Sequence, residues 1–353
     1  MIRGRARLIT LRTTCNWSFV YFILCGNRTK RLLTLEALPC LVQIEVPVSE
    51  KKKLLVIGAS GLLGSKLIVQ AATKYAVSGS YNPEVDGKSF WRLEPLDIGS
   101  KDEVEKLFEK VKPEVVILCA AMTNVDACET KRLIANRVNA TGPELVARSC
   151  KKMNTRLVHV STDYVFDGAK MRKYTEDDMT RPISVYGSTK LSGEKAVLST
   201  LPDAVVARPA VLYGWNPLED KDNFVTWVIK KIRKGERATL FEDQWISPTF
   251  ADDLARTLLE LAGMDVKGVW HVSGPDCLDR PTCGRMIAKA FDLDENLVVP
   301  VPSSSVSLPA RRPKYSCLDV SKVEKLLGRK MMSFEEGLKT MRKGSVALSG
   351  GDP

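Results

Sequence analysis

Histidine and long apolar runs are scarce in this sequence. Only two of its 353 residues are histidine, His159 and His271. Both lie in short apolar runs, which favours packing or hydrogen-bonding roles over catalysis. The longest apolar candidate, Trp17 to Cys25, has nine residues, whereas a membrane-spanning helix needs roughly 20. The sequence therefore predicts a soluble protein with no membrane span.

Cysteines are present, but they lack the spacing of a metal site. The nine Cys occur without C-x-x-C and without any Cys/His ligand spacing, so we predict no zinc or other metal site. Scattered cysteines of this kind are typical of a reduced protein with free thiols. We therefore predict a cytoplasmic protein that binds no metal.

Negative charge is scarce at the N-terminus. The net charge is +11, yet residues 1–53 hold ten Lys and Arg against three Glu, and the other 300 residues carry only +4. A nucleic-acid-binding protein needs a basic face on its folded body, so this distribution argues against nucleic acid as a partner. We interpret residues 1–50 as an extension outside the fold, either a targeting segment or a mis-assigned start. The folded protein is then expected to begin near Val48.

A buried strand and a glycine-rich turn open the folded part. Residues 54–57 are apolar throughout, as expected of a parallel strand buried on both faces. They lead into G-A-S-G-L-L-G, residues 58–64, and then into an amphipathic helix that ends near Thr73. The glycines allow close backbone approach, and the helix N-terminus presents N–H groups to a pyrophosphate. Strand, glycine turn and helix together predict a dinucleotide-binding site.

Strands and helices then alternate along the chain. Strands are predicted at 76–81, 114–119, 157–160 and 204–208, with helices at 101–111 and 141–152. This alternation predicts an α/β fold with a doubly wound parallel sheet. Beyond Pro209 the pattern loosens, with helices predicted at 223–235, 251–262, 280–292, 321–327 and 334–341. We therefore predict a dinucleotide-binding domain at 51–210, a smaller C-terminal substrate-binding lobe at 211–343 with elements returning to the sheet, and a flexible tail at 344–353.

Tyr186 and Lys190 form the candidate catalytic pair. They are four residues apart at a predicted helix start, and therefore lie on one helical face. A phenol beside an ammonium can protonate a carbonyl oxygen as hydride arrives, because a nearby cation lowers the pKa of the phenol. The spacing alone is weak evidence. It gains weight from the strand before it, which ends in the polar residues Ser161, Thr162 and Asp163.

Five ordered motifs resemble those of the extended short-chain dehydrogenase/reductases. They are G-A-S-G-L-L-G, S-T-D-Y-V-F-D-G, Y-G-S-T-K-L-S-G-E, F-E-D-Q-W-I-S-P-T-F-A-D-D-L-A and A-R-R-P-K-Y-S-C-L-D-V-S-K. The resemblance covers about residues 54–342 and is strongest to the dTDP-4-dehydrorhamnose reductase branch. It implies a Rossmann fold and hydride transfer from a reduced nicotinamide to a 4-keto sugar nucleotide.

The resemblance also implies roles for individual residues. Tyr186 would donate a proton to the sugar carbonyl, Lys190 would hold the nicotinamide ribose, and Thr162 would bond the reacting oxygen. The implied substrate contacts are Thr162, Asp163, Tyr213, Trp215 and Arg312. The implied cofactor contacts are Gly58, Ser60, Gly61, Leu62, Leu63, Gly64, Asp97, Ile98, Ala120, Ala121, Thr123, Tyr186 and Lys190.

The end of the second strand bears on the cofactor. An NAD enzyme usually carries Asp or Glu there, about 20 residues past the glycine turn, to bind the ribose hydroxyls. This sequence has Ser80-Tyr81-Asn82, so no carboxylate repels a 2′-phosphate. We predict NADP(H), with NAD(H) as the alternative. A sugar nucleotide is the predicted partner, and the resemblance leaves a homodimer open.

A departure from the family pattern and likenesses to other families keep other functions open. Bacterial members often place a base-stacking Trp where R-P-A-V-L-Y puts Val211, which leaves Tyr213 or Trp215 as substitutes. The same motif, R-x-x-x-L-Y-G at residues 208–214, occurs in the regulatory β subunit of methionine adenosyltransferase, a non-catalytic relative. Sugar-nucleotide epimerases share the Thr/Tyr/Lys set and also stay open. Tyr164 stands where 4,6-dehydratases carry their Glu base, which argues against dehydration.

Overall fold

The structure is a computed structural model that describes residues 51–83, 93–216 and 221–348, with side chains described as far as residue 344. Its strands are β1 (Lys53–Ile57), β2 (Ala76–Tyr81), β3 (Glu94–Pro95), β4 (Val115–Leu118), β5 (Arg156–Val160), β6 (Val205–Arg208), β7 (Leu212–Tyr213), β8 (Ala238–Phe241), β9 (Trp245–Ile246), β10 (Thr249–Phe250), β11 (Gly268–His271), β12 (Leu278–Asp279) and β13 (Val298–Val301). Its α-helices are α1 (Leu62–Ala71), α2 (Lys101–Val111), α3 (Val125–Thr130), α4 (Arg132–Asn136), α5 (Gly142–Met153), α6 (Val185–Thr200), α7 (Phe224–Arg233), α8 (Ala251–Ala262), α9 (Arg280–Ala290), α10 (Ser321–Leu327) and α11 (Phe334–Leu348).

Seven of these strands form one parallel sheet, in the order β11-β6-β5-β4-β1-β2-β3. The order reverses between β1 and β4, because the chain moves outward to one edge after β1 and then returns to the other side. Ligands of open α/β sheets bind at the carboxyl ends of the strands at such a reversal. The predicted doubly wound parallel sheet is therefore confirmed.

Strand β1 carries the centre of the core on both of its faces. Leu54 and Val56 pack with α1 and α8 on one side, while Leu55 and Ile57 pack with α2 and α5 on the other. All four side chains are fully buried. Burial of one such aliphatic side chain stabilises a fold by about 1.5–3 kcal/mol. The β1 sequence is apolar throughout because neither face of the strand meets water.

The glycine turn after β1 depends on missing side chains. Gly58 has a φ of 89°, a region that L-residues other than glycine rarely adopt. A Cβ on Gly58 would also lie 2.7 Å from the backbone nitrogen of Ala120, at the end of β4. A Cβ on Gly64 would lie 2.1 Å from the carbonyl oxygen of Gly58. The turn can therefore pack helix α1 and strand β4 together only with glycine at both positions.

A second hydrophobic core lies in the C-terminal part of the chain. It joins helices α7, α9 and α11 to the parallel pair β8 and β13, and includes Val225, Ile229, Leu240 and Phe334. Helix α8 and strand β11 instead return to the main sheet. The described residues, 51–83, 93–216 and 221–348, belong to one compact unit.

Several elements differ from the sequence prediction. Helices α2, α8 and α10 have the predicted bounds, whereas α3, α4 and a π-helical turn at Arg137–Thr141 were not predicted. Their short runs lack a clear apolar period. Helix α11 continues to Leu348, five residues into the range predicted as a tail. The predicted extension, residues 1–50, and the end of the tail, 349–353, lie outside the described residues.

Cys277 and Cys317 form a disulfide, so the prediction of free thiols is wrong for this pair. The two residues are separated by 40 positions and meet only because β12 and the segment after Tyr315 both flank β9. Spacing in the sequence gives no sign of such a contact. The other four described cysteines, Cys119, Cys128, Cys150 and Cys283, are free. Across 51–83, 93–216 and 221–348, no helix is long and apolar enough to cross a membrane.

Candidate active site

A cavity of about 540 Å³ opens at the carboxyl ends of β1, β4 and β5. Every residue predicted for catalysis or cofactor binding lines it: Gly58, Ser60, Gly61, Leu62, Leu63, Gly64, Asp97, Ile98, Ala120, Ala121, Thr123, Thr162, Tyr186 and Lys190. Asp163, predicted to contact substrate, lines it too. The fold thus brings predicted site residues from five separate segments of the sequence to one cavity.

Helix α6 positions the Tyr186–Lys190 pair. Its first turn is capped by Ser184, whose Oγ accepts a hydrogen bond from the backbone nitrogen of Gly187. Gly187 lets the helix approach the strand-end segment closely, because a Cβ there would lie 2.2 Å from the carbonyl oxygen of Tyr164. The Tyr186 and Tyr164 rings meet edge to face, with centroids 5.6 Å apart. Tyr164 therefore packs against the ring of Tyr186.

Lys190 is buried beneath the cavity with 1% of its surface exposed. Its Nζ donates a hydrogen bond to the carbonyl oxygen of Val160 at 2.7 Å. Burial lowers the pKa of Lys190 to about 8, and the charge of Glu194 partly opposes this. The amine of Lys190 is thus still protonated near neutral pH. Its hydrogen bond with the Val160 carbonyl fixes the position of Nζ.

Tyr186 differs from the sequence prediction in the direction of its pKa. Burial raises the pKa of the phenol, and a hydrogen bond with Thr162 acts in the opposite direction. A phenol with a raised pKa stays protonated near neutral pH. Tyr186 therefore holds the proton that a general acid has to donate.

Asp163 is a buried carboxyl with one unused oxygen. Its Oδ1 accepts a hydrogen bond from Thr162 Oγ1 at 3.0 Å, whereas Oδ2 is buried without a hydrogen-bond partner among the described residues. Burial raises the pKa of Asp163 to about 6, opposed by the hydroxyls of Ser316 and Thr162. Asp163 lines the cavity, so its carboxyl is suited to a hydroxyl of a bound ligand.

A buried ion pair beneath the site was missed in the sequence. Glu194 accepts hydrogen bonds from Arg208 at 2.6 and 2.9 Å, and from Ser161 Oγ at 2.5 Å. Both charged side chains are at most 5% exposed. The pair fixes helix α6 against the ends of β5 and β6, which carry the site. Only a charged residue inside an otherwise apolar strand, at Arg208, could have indicated it.

Asn139 is a second residue that the sequence reading missed. It lies fully buried in the π-helical turn. Its Oδ1 accepts from the Met122 nitrogen at 2.8 Å, and its Nδ2 donates to the Met122 oxygen at 3.1 Å. These bonds hold the backbone that follows β4, where Ala120, Ala121 and Thr123 line the cavity. No spacing rule in the sequence points to this role.

The far end of the cavity suits the adenosine part of a dinucleotide. Ser80, Tyr81 and Asn82 line it at the end of β2, and none of these three residues carries a carboxylate. Asp97 also lines the cavity, and its Oδ2 pairs with Arg137 at 2.7 Å. The Gly58 cradle, which a Cβ would fill, leaves room for a pyrophosphate close to the backbone. The residues present therefore fit a nicotinamide dinucleotide.

Three predicted substrate residues do not line this cavity. Tyr213 is buried and donates its hydroxyl hydrogen to the Phe334 oxygen at 3.3 Å. Trp215 donates its indole N–H to the Met341 oxygen at 2.7 Å. Arg312 forms an ion pair with Asp126, 2.7 Å between Nη2 and Oδ2. Val211, at the position of the family's tryptophan, does line the cavity.

The two histidines take structural positions. His271 is fully buried, with its Nδ1 3.1 Å from the Tyr174 oxygen. His159 is fully buried in β5. Burial lowers the pKa of both rings, so they are neutral. Among the residues that the structure describes, no group of three or more His, Cys, Asp and Glu could hold a metal ion.

A reversal-point cavity with a glycine cradle at one end and a buried Thr-Tyr-Lys group at the other defines a dinucleotide-dependent enzyme of the short-chain dehydrogenase/reductase class. The particular family follows from comparison. A family model described as "RmlD substrate binding domain" matches residues 52–346. The chain belongs to this family.

Relatives that are named as reductases match most of this chain. The chain is 36% identical over 285 residues to the Haloferax volcanii protein named "Probable low-salt glycan biosynthesis reductase Agl14", covering 80% of this chain and 95% of the relative. It is 38% identical over 275 residues to dTDP-4-dehydrorhamnose reductase of Mycobacterium tuberculosis, covering 76% and 84%. The crystal structure of the Bacillus anthracis dTDP-4-dehydrorhamnose reductase in complex with NADP is 29% identical with a TM-score of 0.75, covering 83% of this chain and 99% of that one.

Proposed function

We propose that this protein is an NADPH-dependent reductase of a 4-keto sugar nucleotide, similar to dTDP-4-dehydrorhamnose reductase. The observation that carries the proposal is the placement of Thr162, Tyr186 and Lys190 in the wall of the dinucleotide cavity. Relatives that are named as reductases support it. A purely regulatory subunit has no use for a proton-donor group in that wall.

In the proposed mechanism, the reduced nicotinamide supplies the hydride when it is bound. Tyr186 donates its phenolic proton to the carbonyl oxygen of the sugar, and Thr162 bonds both that oxygen and the phenol. Lys190, held by the Val160 oxygen, orients the ribose and stabilises the phenolate left behind. Asp163, which lines the cavity, accepts a hydrogen bond from a sugar hydroxyl. A positioned general acid of this kind contributes about 10²–10⁴-fold to the rate.

NADP(H) is the cofactor that we propose, with NAD(H) as a weaker alternative. The absence of Asp and Glu at positions 80–82 removes the repulsion that a 2′-phosphate would meet. The Bacillus anthracis relative was solved with NADP. A specificity constant about tenfold better with NADH than with NADPH would overturn this proposal.

The proposed reaction is tested by NADPH oxidation against a panel of 4-keto sugar nucleotides. We expect stoichiometric NADPH consumption with dTDP-4-dehydrorhamnose or a close analogue, and no dehydration of dTDP-glucose. Protein that purifies with bound cofactor and interconverts 4-hydroxy sugars without added nicotinamide would identify an epimerase. Cofactor binding without turnover of any sugar in the panel would favour the regulatory alternative.

A homodimer is the assembly that we propose. Leu133 and Ile134, on helix α4, are 88% and 47% exposed, and a second copy could cover them. Sedimentation velocity of the wild-type protein and of Leu133→Asp tests this. A monomeric wild-type protein would end the proposal.

The cytoplasm is the location that we propose, because related biosynthetic reductases use NADPH and sugar nucleotides. The Cys277–Cys317 disulfide stands against it, since disulfides are rare in reducing compartments. Alkylation of thiols in freshly lysed cells shows whether Cys277 and Cys317 are reduced, as expected in the cytoplasm, or form the disulfide. A pair found oxidised in cells would place the protein in an oxidising compartment.

A further inference from the structure

Residues 313–319 form an irregular segment, here called the strap, which packs on the chain that leaves the catalytic end of the cavity. That chain starts at Asp163, which lines the cavity, and reaches Gly168 five residues later. A Cβ on Gly168 would lie 2.6 Å from Pro313 Cβ and 2.7 Å from the Lys314 nitrogen. The strap is therefore in direct contact with the segment that carries Asp163.

Tyr174 links the strap to the same segment a second time. Its backbone nitrogen donates to the Cys317 oxygen at 2.8 Å, and its oxygen accepts from the Asp319 nitrogen at 2.7 Å. Its ring stacks on Phe166, with centroids 4.2 Å apart. The Phe166 nitrogen in turn donates to the Asp163 oxygen at 3.1 Å. A shift of the strap would thus move groups that hold the backbone of Asp163.

The Cys277–Cys317 disulfide anchors the strap on its other side. Cys277 directly precedes β12, which pairs with β9. The strap itself also pairs with β9, through hydrogen bonds from the Trp245 nitrogen to the Lys314 oxygen at 2.7 Å and from the Ser316 nitrogen to the Trp245 oxygen at 2.9 Å. Such hydrogen bonds open and close in a native protein. The disulfide, in contrast, holds the strap beside β12 while they are open.

The two sulfur-bearing residues of the bridge differ in access. Cys277 is half-buried, whereas Cys317 is 0% exposed. Thiol–disulfide exchange requires a thiolate to reach one sulfur of the bond, and the other sulfur then leaves. The geometry favours attack at Cys277 with Cys317 as the leaving group.

We propose that the Cys277–Cys317 pair is a thiol–disulfide exchange site, and that its oxidised form holds the strap against the segment that carries Asp163. A thiolate of a dithiol reductant attacks Sγ of Cys277, the S–S bond breaks, and Cys317 leaves as a thiolate that takes up a proton. The second thiol of the reductant then displaces Cys277, so the pair gains two electrons and two protons and the reductant becomes a disulfide. The inference rests on the proposed function only for its effect on substrate binding.

The first test compares two matched variants of the full-length chain. Cys317→Ser leaves Cys277 as a free thiol, and Cys277→Ser leaves Cys317. Each folded variant is mixed with oxidised glutathione, and the mixed disulfide at the remaining cysteine is followed by peptide mapping. Cys277 should react at least about tenfold faster than Cys317, because the incoming disulfide has to reach the thiol. Equal rates in the two variants would overturn the proposal.

The wild-type protein keeps the proposal testable if either variant does not fold. Dithiothreitol without denaturant should reduce the Cys277–Cys317 bond, while the buried thiols of Cys128, Cys150 and Cys283 resist alkylation. Reduction of the bond that requires urea would overturn the proposal, because exchange would then depend on unfolding.

The second test measures the strap itself in oxidised and reduced wild-type protein. The backbone amides of residues 314–319 should exchange hydrogen about tenfold faster in the reduced form. A peptide that contains β1 serves as the control and should stay protected over the same minutes in both forms. The KM for the keto sugar nucleotide should be about 3–10-fold higher in the reduced form, with NADPH affinity unchanged.

The outcomes separate this inference from the proposed function. Faster strap exchange in a reduced protein that turns over no keto sugar would support the inference and reject the reductase. NADPH-dependent reduction of a keto sugar with equal strap exchange and equal KM in the two forms would do the reverse.

Discussion

At the scale of single residues, the burial of Asp163 changes its pKa and thereby lowers the stability of the fold near neutral pH. Its carboxyl is 98% shielded from solvent by the same residues that shape the cavity. Burial raises its pKa from 3.8 to about 6, because a charge is less stable away from water. Near neutral pH the folded protein therefore holds a buried anion beside Thr162.

This shift predicts a pH-dependent stability. The folded state binds the Asp163 proton more tightly than the unfolded state, so this group stabilises the fold most below about pH 4. That stabilisation is lost as pH rises through about 6. Asp163→Asn carries no charge, so its free energy of unfolding relative to wild type should rise by about 2 kcal/mol between about pH 4 and pH 7.5. Urea denaturation of both proteins at the two pH values measures this, and a pH-independent difference would contradict it.

At the scale of elements, the turn between β1 and α1 predicts the effect of added methyl groups. Gly64→Ala would place a Cβ 2.1 Å from the Gly58 oxygen, so it should lower the free energy of unfolding by about 1–3 kcal/mol. Gly61→Ala is the matched control, because its Cβ would lie 3.5 Å from the same oxygen and its φ is −77°. Thermal unfolding of the two variants should separate them. Equal stability would show that α1 moves to relieve the clash.

The disulfide predicts a second effect at this scale. It closes a loop of 40 residues, for which loop-closure entropy predicts a stabilisation of about 4 kcal/mol. The double variant Cys277→Ser and Cys317→Ser should therefore unfold at lower urea than the oxidised wild type. It should match the wild type treated with reductant. If reductant leaves the urea midpoint of the wild-type protein unchanged, the disulfide does not stabilise the fold.

The sequence predicts the elements near the sheet better than the contacts between distant segments. Local sequence patterns predict the β1 run, the glycine turn and helix α6. A strand that is buried on both faces accepts only apolar residues, and a tight turn favours glycine. The Arg280 contact with Gln244 and the Cys277–Cys317 bridge join distant segments, and nothing local encodes them. Tyr213 and Trp215, predicted as substrate contacts, do not line the cavity for a similar reason. An aromatic residue beside a cavity and one inside the neighbouring core look alike in sequence.

At the scale of the whole molecule, the described core closes without residues 1–47. Strand β1 begins at Lys53, and its apolar side chains are covered by α1, α2, α5 and α8. A chain that starts at Val48 should therefore fold and keep full activity. Its melting temperature and specificity constant should equal those of the full chain. Aggregation, or a loss of several degrees in melting temperature, would show that the N-terminal segment contributes to the fold.

The central claim is that Tyr186 donates the proton in a hydride transfer to a sugar carbonyl. Tyr186→Phe removes one hydroxyl and keeps the ring that packs against Tyr164. The most direct measurement is the single-turnover rate of NADPH oxidation with dTDP-4-dehydrorhamnose, alongside NADPH affinity from fluorescence titration. The account predicts a rate lower by about 10²–10⁴-fold with NADPH affinity nearly unchanged. A Tyr186→Phe protein that turns over at close to the wild-type rate would contradict it.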